Sequence, residues 1–164
     1  MNIIDAHSHL WLQQDTWVNG KRILSKQDGR SIFMDEEVQM LPPFMIEGKN
    51  TAEIFLSNMD YAQVGGAVVV QEIIDGNQNS YLQKVQEKYP NRFFCMGMAN
   101  DLEEAQAVCQ AGLKGIAFPG HRIQTPLTSF LPIFKMMESK HMVLSMCLGE
   151  DERQIGEMKE VIQE

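Results

Sequence analysis

Long hydrophobic runs are missing from this sequence. No stretch approaches the ~18 apolar residues that a membrane-crossing helix needs. The N-terminus lacks a basic segment leading into an apolar core and carries Asp5, His7 and His9 instead, so it is not expected to be a signal peptide. Cysteine is sparse. Cys95, Cys109 and Cys147 are odd in number and show no Cys-x-x-Cys spacing, which argues against a disulfide framework and for a reducing, cytoplasmic setting. Cys95 and Cys147 fall in apolar runs and are expected as buried core thiols. Positive charge is in deficit, with 14 Lys and Arg against 22 Asp and Glu, a net of −8. Such a chain is ill suited to nucleic-acid phosphates or anionic membrane surfaces. No Gly-rich phosphate loop follows any apolar run, and that counts against a nucleotide-binding open sheet.

What remains is a globular composition, 44% hydrophobic and 22% charged over 164 residues, enough for one domain with a real core. Short apolar runs at 2–10, 66–71, 92–98, 114–118 and 141–148 are rich in β-formers and read as strands buried on both faces. Amphipathic stretches separate them. Residues 51–63 place Ile54, Phe55, Met59 and Ala62 near one face, and 77–89 do the same with Tyr81, Leu82, Val85 and Tyr89. Residues 102–111, 127–139 and 150–163 continue the pattern. Thr51 and Asp101 stand where helix N-caps belong, and Gly112 where a helix stops.

The order is therefore β-α repeated five times, an α/β chain with parallel strands. An open doubly wound sheet and a closed (β/α)8 TIM barrel both fit. The first βα connection, 11–50, shows no clear periodicity and reads as a long loop. Loops of that length usually carry function, and in a barrel this one lies on the catalytic face.

The strongest chemical signal is Ile4-Asp-Ala-His7-Ser-His9. Side chains two apart on a strand share a face, and imidazoles about 7 Å apart along it can converge on one cation. Zinc suits such donors, with manganese or iron as alternatives. The plainer alternative is a pair of chance polar residues. His121 and Arg122 follow the fourth run, at the expected catalytic face, as a third ligand or substrate contact and as a carboxylate clamp, against solvated loop residues. Gln71 and Glu72 end the second run and are candidates to face the pocket; Asn100 is a weaker one. Trp11 and Trp17 either wall a substrate pocket or pack the long loop. Lys114 and His141 open their strands and are expected away from the chemistry.

The opening Ile3-Ile-Asp-Ala-His-Ser-His-Leu-Trp11 resembles the amidohydrolase superfamily, closest to its amidohydrolase-related branch of small lactonases and nonoxidative decarboxylases. Met59 to Gln71, Tyr89-Pro-Asn-Arg-Phe-Phe94 and Ala111 to Phe118 resemble later segments of that branch. The resemblance implies a distorted (β/α)8 barrel, a divalent metal on His7 and His9, and a small-molecule substrate. It further implies a histidine after strand five or six and a water-activating aspartate after strand eight. Neither has a counterpart here. Some relatives keep an arginine inside strand four, where this chain has Ala117. Strand five ends Met146-Cys-Leu148 without a histidine, which leans toward the lactonase side.

Such barrels take roughly 250 residues. Residues 1–164 are thus expected to be the N-terminal portion of one barrel domain, about five strands, with the general-base aspartate beyond it. The expected activity is metal-dependent hydrolysis of a lactone, ester or amide. Nonoxidative decarboxylation and a non-catalytic remnant are the alternatives. Open strand edges are expected to make the chain oligomeric or partner-dependent.

Overall fold

The computed structural model describes residues 3–149 and 152–163. Asn2 and Glu150, the expected first residues of the first strand and last helix, lie outside that range. The chain starts with β1 (Ile3–Ser8) and continues through β2 (Asp15–Val18), β3 (Lys21–Ser25), β4 (Arg30–Phe33) and β5 (Glu36–Gln39). Helix α1 (Ala52–Tyr61) leads into β6 (Val64–Val69), α2 (Asn79–Lys88), β7 (Phe93–Gly97) and α3 (Leu102–Gln110). Then come β8 (Gly115–Phe118), α4 (Leu131–Ser139), β9 (Val143–Met146) and α5 (Glu152–Gln163).

Two sheets result. One is parallel, in the order β1-β6-β7-β8-β9. Each strand lies beside the next parallel strand along the chain, without the reversal that marks a doubly wound sheet. The expected architecture is therefore present: α/β, with five consecutive strands of a (β/α)8-type barrel curled into a half-barrel. The other sheet, β2-β3-β4-β5, is an antiparallel meander. It corrects the reading of 11–50 as an aperiodic loop. Its hairpins turn at Asn19-Gly20 (φ 50° and 76°) and Met34-Asp35 (φ 54° and 71°), the left-handed pairs that tight two-residue turns require. Trp11 and Asn50 exchange backbone hydrogen bonds of 3.0 and 3.1 Å across the neck of this excursion.

The period of two along the parallel strands sorts the core. Val69, Cys95, Ile116 and Phe118 pack outward against Leu82, Val85, Val108 and Ile133 of the helices. Val70, Met96 and Ala117 point inward, with Val68 and Phe94 packed against them. Each large aliphatic or aromatic side chain fully buried here contributes roughly 1.5–3 kcal/mol. Close strand approach needs glycine at one place: a methyl group at Gly115 would overlap the Val143 carbonyl oxygen and the end of Met96.

Helix starts follow the sequence signals. Thr51 Oγ1 accepts from the Ile54 N–H at 3.4 Å, and Asp101 Oδ1 from the Glu104 N–H at 2.9 Å. Gly112, at φ 77°, ends the turn after α3. The expected helix at 127–139 divides into a 3-10 turn, Leu127–Phe130, and α4, with Pro132 near its start. At the sheet's edges Ile3, Ile4 and Val143 are 51%, 63% and 48% exposed. No helix among the described residues is long and apolar enough to cross a membrane.

Candidate active site

The C-terminal ends of the parallel strands gather the polar residues. His7 ends near the top of β1, and His9 follows on the same side. Their Nε2 atoms lie 3.1 Å apart, with the rings edge-on at 70°. The backbone is held for this: the His7 N–H donates to Asp5 Oδ1 at 3.1 Å, and Asn50 Nδ2 donates to the His9 carbonyl at 2.7 Å. His9 is the more enclosed of the two. Burial lowers its pKa, and the neighbouring His7 lowers it further, against opposing influence from Glu72 and the Val70 carbonyl. A neutral imidazole is the ligand form.

Two nitrogens bound tetrahedrally to zinc at 2.0–2.1 Å stand about 3.3 Å apart, so the observed spacing fits a shared cation. Among the described residues no group of three or more His, Cys, Asp or Glu is placed to hold a metal. The residues that could hold a cation are therefore His7 and His9.

Opposite the pair, Glu72 organises the site. Its Oε1 accepts from the Ile73 N–H at 2.8 Å and from Arg122 Nε at 3.1 Å. Its Oε2 lies 3.4 Å from His121 Nε2. His121 and Arg122 sit in the short 3-10 turn Gly120–Arg122 that follows β8. The His121 N–H donates to the Cys147 carbonyl at 2.9 Å, fixing that turn to the end of β9. Arg122 also stacks on Phe33 of β4, 5.9 Å from the ring centre.

His7, His9, Gln71, Glu72, His121 and Cys147 all border one cleft of about 80 Å³. Ala117, Phe118 and Pro119 form its boundary with a larger cavity of about 450 Å³. Arg122, Asn100 and Asn19, the last from the β2–β3 turn, line that cavity with Phe130.

Several expectations change here. Trp11 does not line the cleft. It is buried, and its indole N–H donates to the Gly48 carbonyl at 2.8 Å, so it packs the insert onto the barrel. Gln71 borders the cleft, but its amide is engaged elsewhere. Nε2 donates to Asn79 Oδ1 at 2.6 Å and Oε1 accepts from the Gln78 N–H at 2.7 Å, which anchors the start of α2. Cys147 is exposed at the cleft rather than buried in the core. Cys95 is buried as expected, and burial pushes its thiol up to about 12. Trp17 stands on the outer side of the insert, 63% exposed, beneath Arg22.

The residue that sequence reasoning missed is Asp75. It ends the 3-10 turn Ile73–Asp75 after β6 and lies buried behind His9, with Oδ2 3.7 Å from the His9 Nδ1. Burial pushes its carboxyl up to about 6, partly offset by a 2.6 Å hydrogen bond from Gln14 Nε2. Nothing in local spacing marks Asp75 or Gln14, because the contact spans the insert. The Asn19-Gly20 hairpin signal announced the sheet that carries Gln14's partner, Ser25.

The chain resembles known structures in fold. A crystal structure of a probable 2-pyrone-4,6-dicarboxylic acid hydrolase from Acinetobacter baumannii, with citric acid bound, matches with a TM-score of 0.61 at 18% identity. The match covers 89% of this chain and 49% of that one, so this chain spans about half the length of that hydrolase. A 5-carboxyvanillate decarboxylase from Novosphingobium aromaticivorans, bound to manganese and 3-methoxy-4-hydroxy-5-nitrobenzoic acid, gives a TM-score of 0.46 at 21% identity. That match covers 55% of this chain and 32% of the decarboxylase. Among curated proteins none matches this chain. The amidohydrolase family model, in contrast, matches residues 4–164, taking in the imidazole pair and every later strand and helix; the chain belongs to the amidohydrolase family of enzymes.

Proposed function

We propose that this chain forms the metal-holding part of a hydrolase acting on small-molecule lactones, esters or amides. The single observation behind this reading is the convergence of the His7 and His9 Nε2 atoms, 3.1 Å apart, at the carboxyl ends of the barrel strands. That is where barrel enzymes carry their chemistry. His7 and His9 hold a divalent cation, zinc by first choice and manganese or iron as alternatives. A cation there supplies Lewis-acid polarisation of a carbonyl oxygen and acidifies a water.

The chain's own groups bind and orient. Glu72 holds Arg122 by its Nε, leaving the other guanidinium N–H groups for a polar or anionic part of the substrate in the adjoining cavity. His121, beside Glu72, faces the cleft and contacts substrate or serves as a further ligand. Phe118 and Phe130 give the cavity an apolar wall. Three free cysteines support a reducing, cytoplasmic setting.

Metal content tests the reading. Two protein ligands bind more weakly than the usual three, so wild type should retain zinc below one equivalent or at micromolar-class affinity after dialysis. The His7→Ala, His9→Ala double variant should retain none, and equal content in both by elemental analysis overturns the assignment. A lactone panel assayed beside carboxylated substrates separates hydrolysis from decarboxylation by whether CO2 is released. Metal binding with neither reaction supports a metal-holding part that lacks the general base.

A further inference from the structure

The environment of His9 is asymmetric. Its Nε2 faces His7 and the cleft, while Nδ1 is sealed from solvent and has no hydrogen-bond partner among the described residues. The nearest carboxylate oxygen is Oδ2 of Asp75, at 3.7 Å. A closure of about 0.8 Å brings that pair to ordinary N–H···O length, and the sealed surroundings leave little room for a bridging water. Asp75 is itself oriented. Gln14 Nε2 donates to its Oδ1 at 2.6 Å, and Ser25 Oγ donates to Gln14 Oε1 at 3.0 Å, which sets the direction of the amide. Gln14, Ser25 and Asp75 are all buried. A buried relay therefore runs from β3 of the insert, through Gln14 and Asp75, to the hidden side of His9.

We propose that Asp75 is a positioning residue that selects the Nδ1–H tautomer of His9, leaving the Nε2 lone pair free toward His7. This rests on the reading of His7 and His9 as metal ligands. A ligating histidine generally donates its second ring N–H to a carboxylate or carbonyl, which fixes tautomer and ring orientation. The competing acceptor is the Val70 carbonyl, which also influences this ring. Asp75 has the advantage of charge and of being held in place by Gln14. The insert thus acts on the site from behind, without entering the cleft at that point.

The isosteric change Asp75→Asn is the informative one. Its carbonyl can keep the Gln14 bond and turn the amide NH2 toward His9 Nδ1, which moves the ring proton to Nε2. In a serine protease the corresponding Asp-to-Asn change leaves geometry intact and traps the wrong histidine tautomer. Long-range 1H–15N spectra of the full chain at pH 8 read the tautomer directly. Wild type should show His9 protonated at Nδ1, and Asp75→Asn should show it protonated at Nε2. Cobalt(II) titration, followed by visible absorption, should show affinity falling about 10–100-fold in the variant, with the far-ultraviolet circular dichroism unchanged. Should Asp75→Asn not fold, Asp75→Ser is read by the same spectra and should give mixed tautomers.

A wild-type His9 protonated at Nε2 overturns the proposal. So do an unchanged tautomer and unchanged cobalt affinity in the variant, which would assign the role to Val70. The two readings fail separately. Wild type that binds no cobalt while the tautomers behave as stated removes the metal assignment and leaves Asp75 as the tautomer-setting group. Equal cobalt binding by wild type and variant, with His9 protonated at Nδ1 in both, does the reverse.

Discussion

Gln14 donates a 2.6 Å hydrogen bond to the buried carboxyl of Asp75, joining the antiparallel insert to the turn behind His9. Both side chains are nearly sealed from solvent. A carboxyl in such a place is costly to ionise, and one neutral amide donor offsets only part of that cost.

The pH dependence of stability follows from this. Asp75 is raised from 3.8 to about 6 in the folded chain. The folded state therefore holds a proton that the unfolded state releases. Its contribution to stability is complete below about pH 4 and is lost as pH rises through 6, by at most about 3 kcal/mol. His9, lowered from 6.5, acts in the opposite sense and costs stability as pH falls below that value. Urea unfolding of wild type and Asp75→Asn at pH 4.5, 5.5 and 7 isolates the carboxyl. Wild type should lose stability relative to the variant as pH rises; a constant gap would show that Asp75 titrates as an ordinary carboxylate.

Two glycines should respond oppositely to alanine. A methyl group at Gly115 overlaps the Val143 carbonyl oxygen, part of the β8–β9 pairing. Gly115→Ala should destabilise by about 1–3 kcal/mol or more, as overpacking does. Gly156 lies within α5 and has nothing within 4 Å of such a methyl. Gly156→Ala should stabilise by about 0.5–1 kcal/mol, the helix-interior preference for alanine. Denaturant midpoints check both, and a neutral Gly115→Ala would mean that the two strands can part without cost.

The edges of the parallel sheet carry a further expectation. Among the described residues β1 pairs with β6 alone and β9 with β8 alone, and Ile4 on β1 is 63% exposed. Unpaired apolar edges template association between chains. Light scattering should give a molar mass above the 18.7 kDa of one chain. Ile4→Lys should lower it toward the monomer. A wild-type monomer at high concentration would show that these edges are already blunted.

The parallel framework was legible in the sequence because strands buried on both faces are nearly continuous apolar runs. Those at 66–71, 92–98 and 114–118 contain or adjoin β6, β7 and β8 to within about two residues. Helix ends were legible where Thr51 and Asp101 cap them. The insert was not, because its four- and five-residue strands are short and largely polar, as with Glu36–Gln39. Its Asn19-Gly20 turn was the available signal. His7 and His9 stood out by their spacing of two at the end of β1, and the structure brings their rings together, with His9 just beyond the strand's last residue, Ser8. Asp75 did not stand out: it meets His9 from 66 positions away, and an isolated aspartate in a turn looks like any solvated one. Trp11 and Gln71 were in the right neighbourhood, but sequence does not tell which way a strand-end side chain turns. Local partners, the Gly48 carbonyl and the start of α2, took them.

The reciprocal backbone bonds between Trp11 and Asn50 pin the two ends of the excursion together before α1 begins. Chain entropy then charges little for what lies between, since closure cost grows only slowly with length. The barrel strands on either side keep their register whether the span from 12 to 49 is a four-stranded sheet or something shorter. The neck behaves as a socket. A different excursion plugged into it would bring a different residue to the place of Asn19 over the cavity and of Phe33 under Arg122. It would also have to replace Gln14 and Ser25, which hold Asp75 behind His9, so the wall of the cavity and the support of the imidazole pair change together.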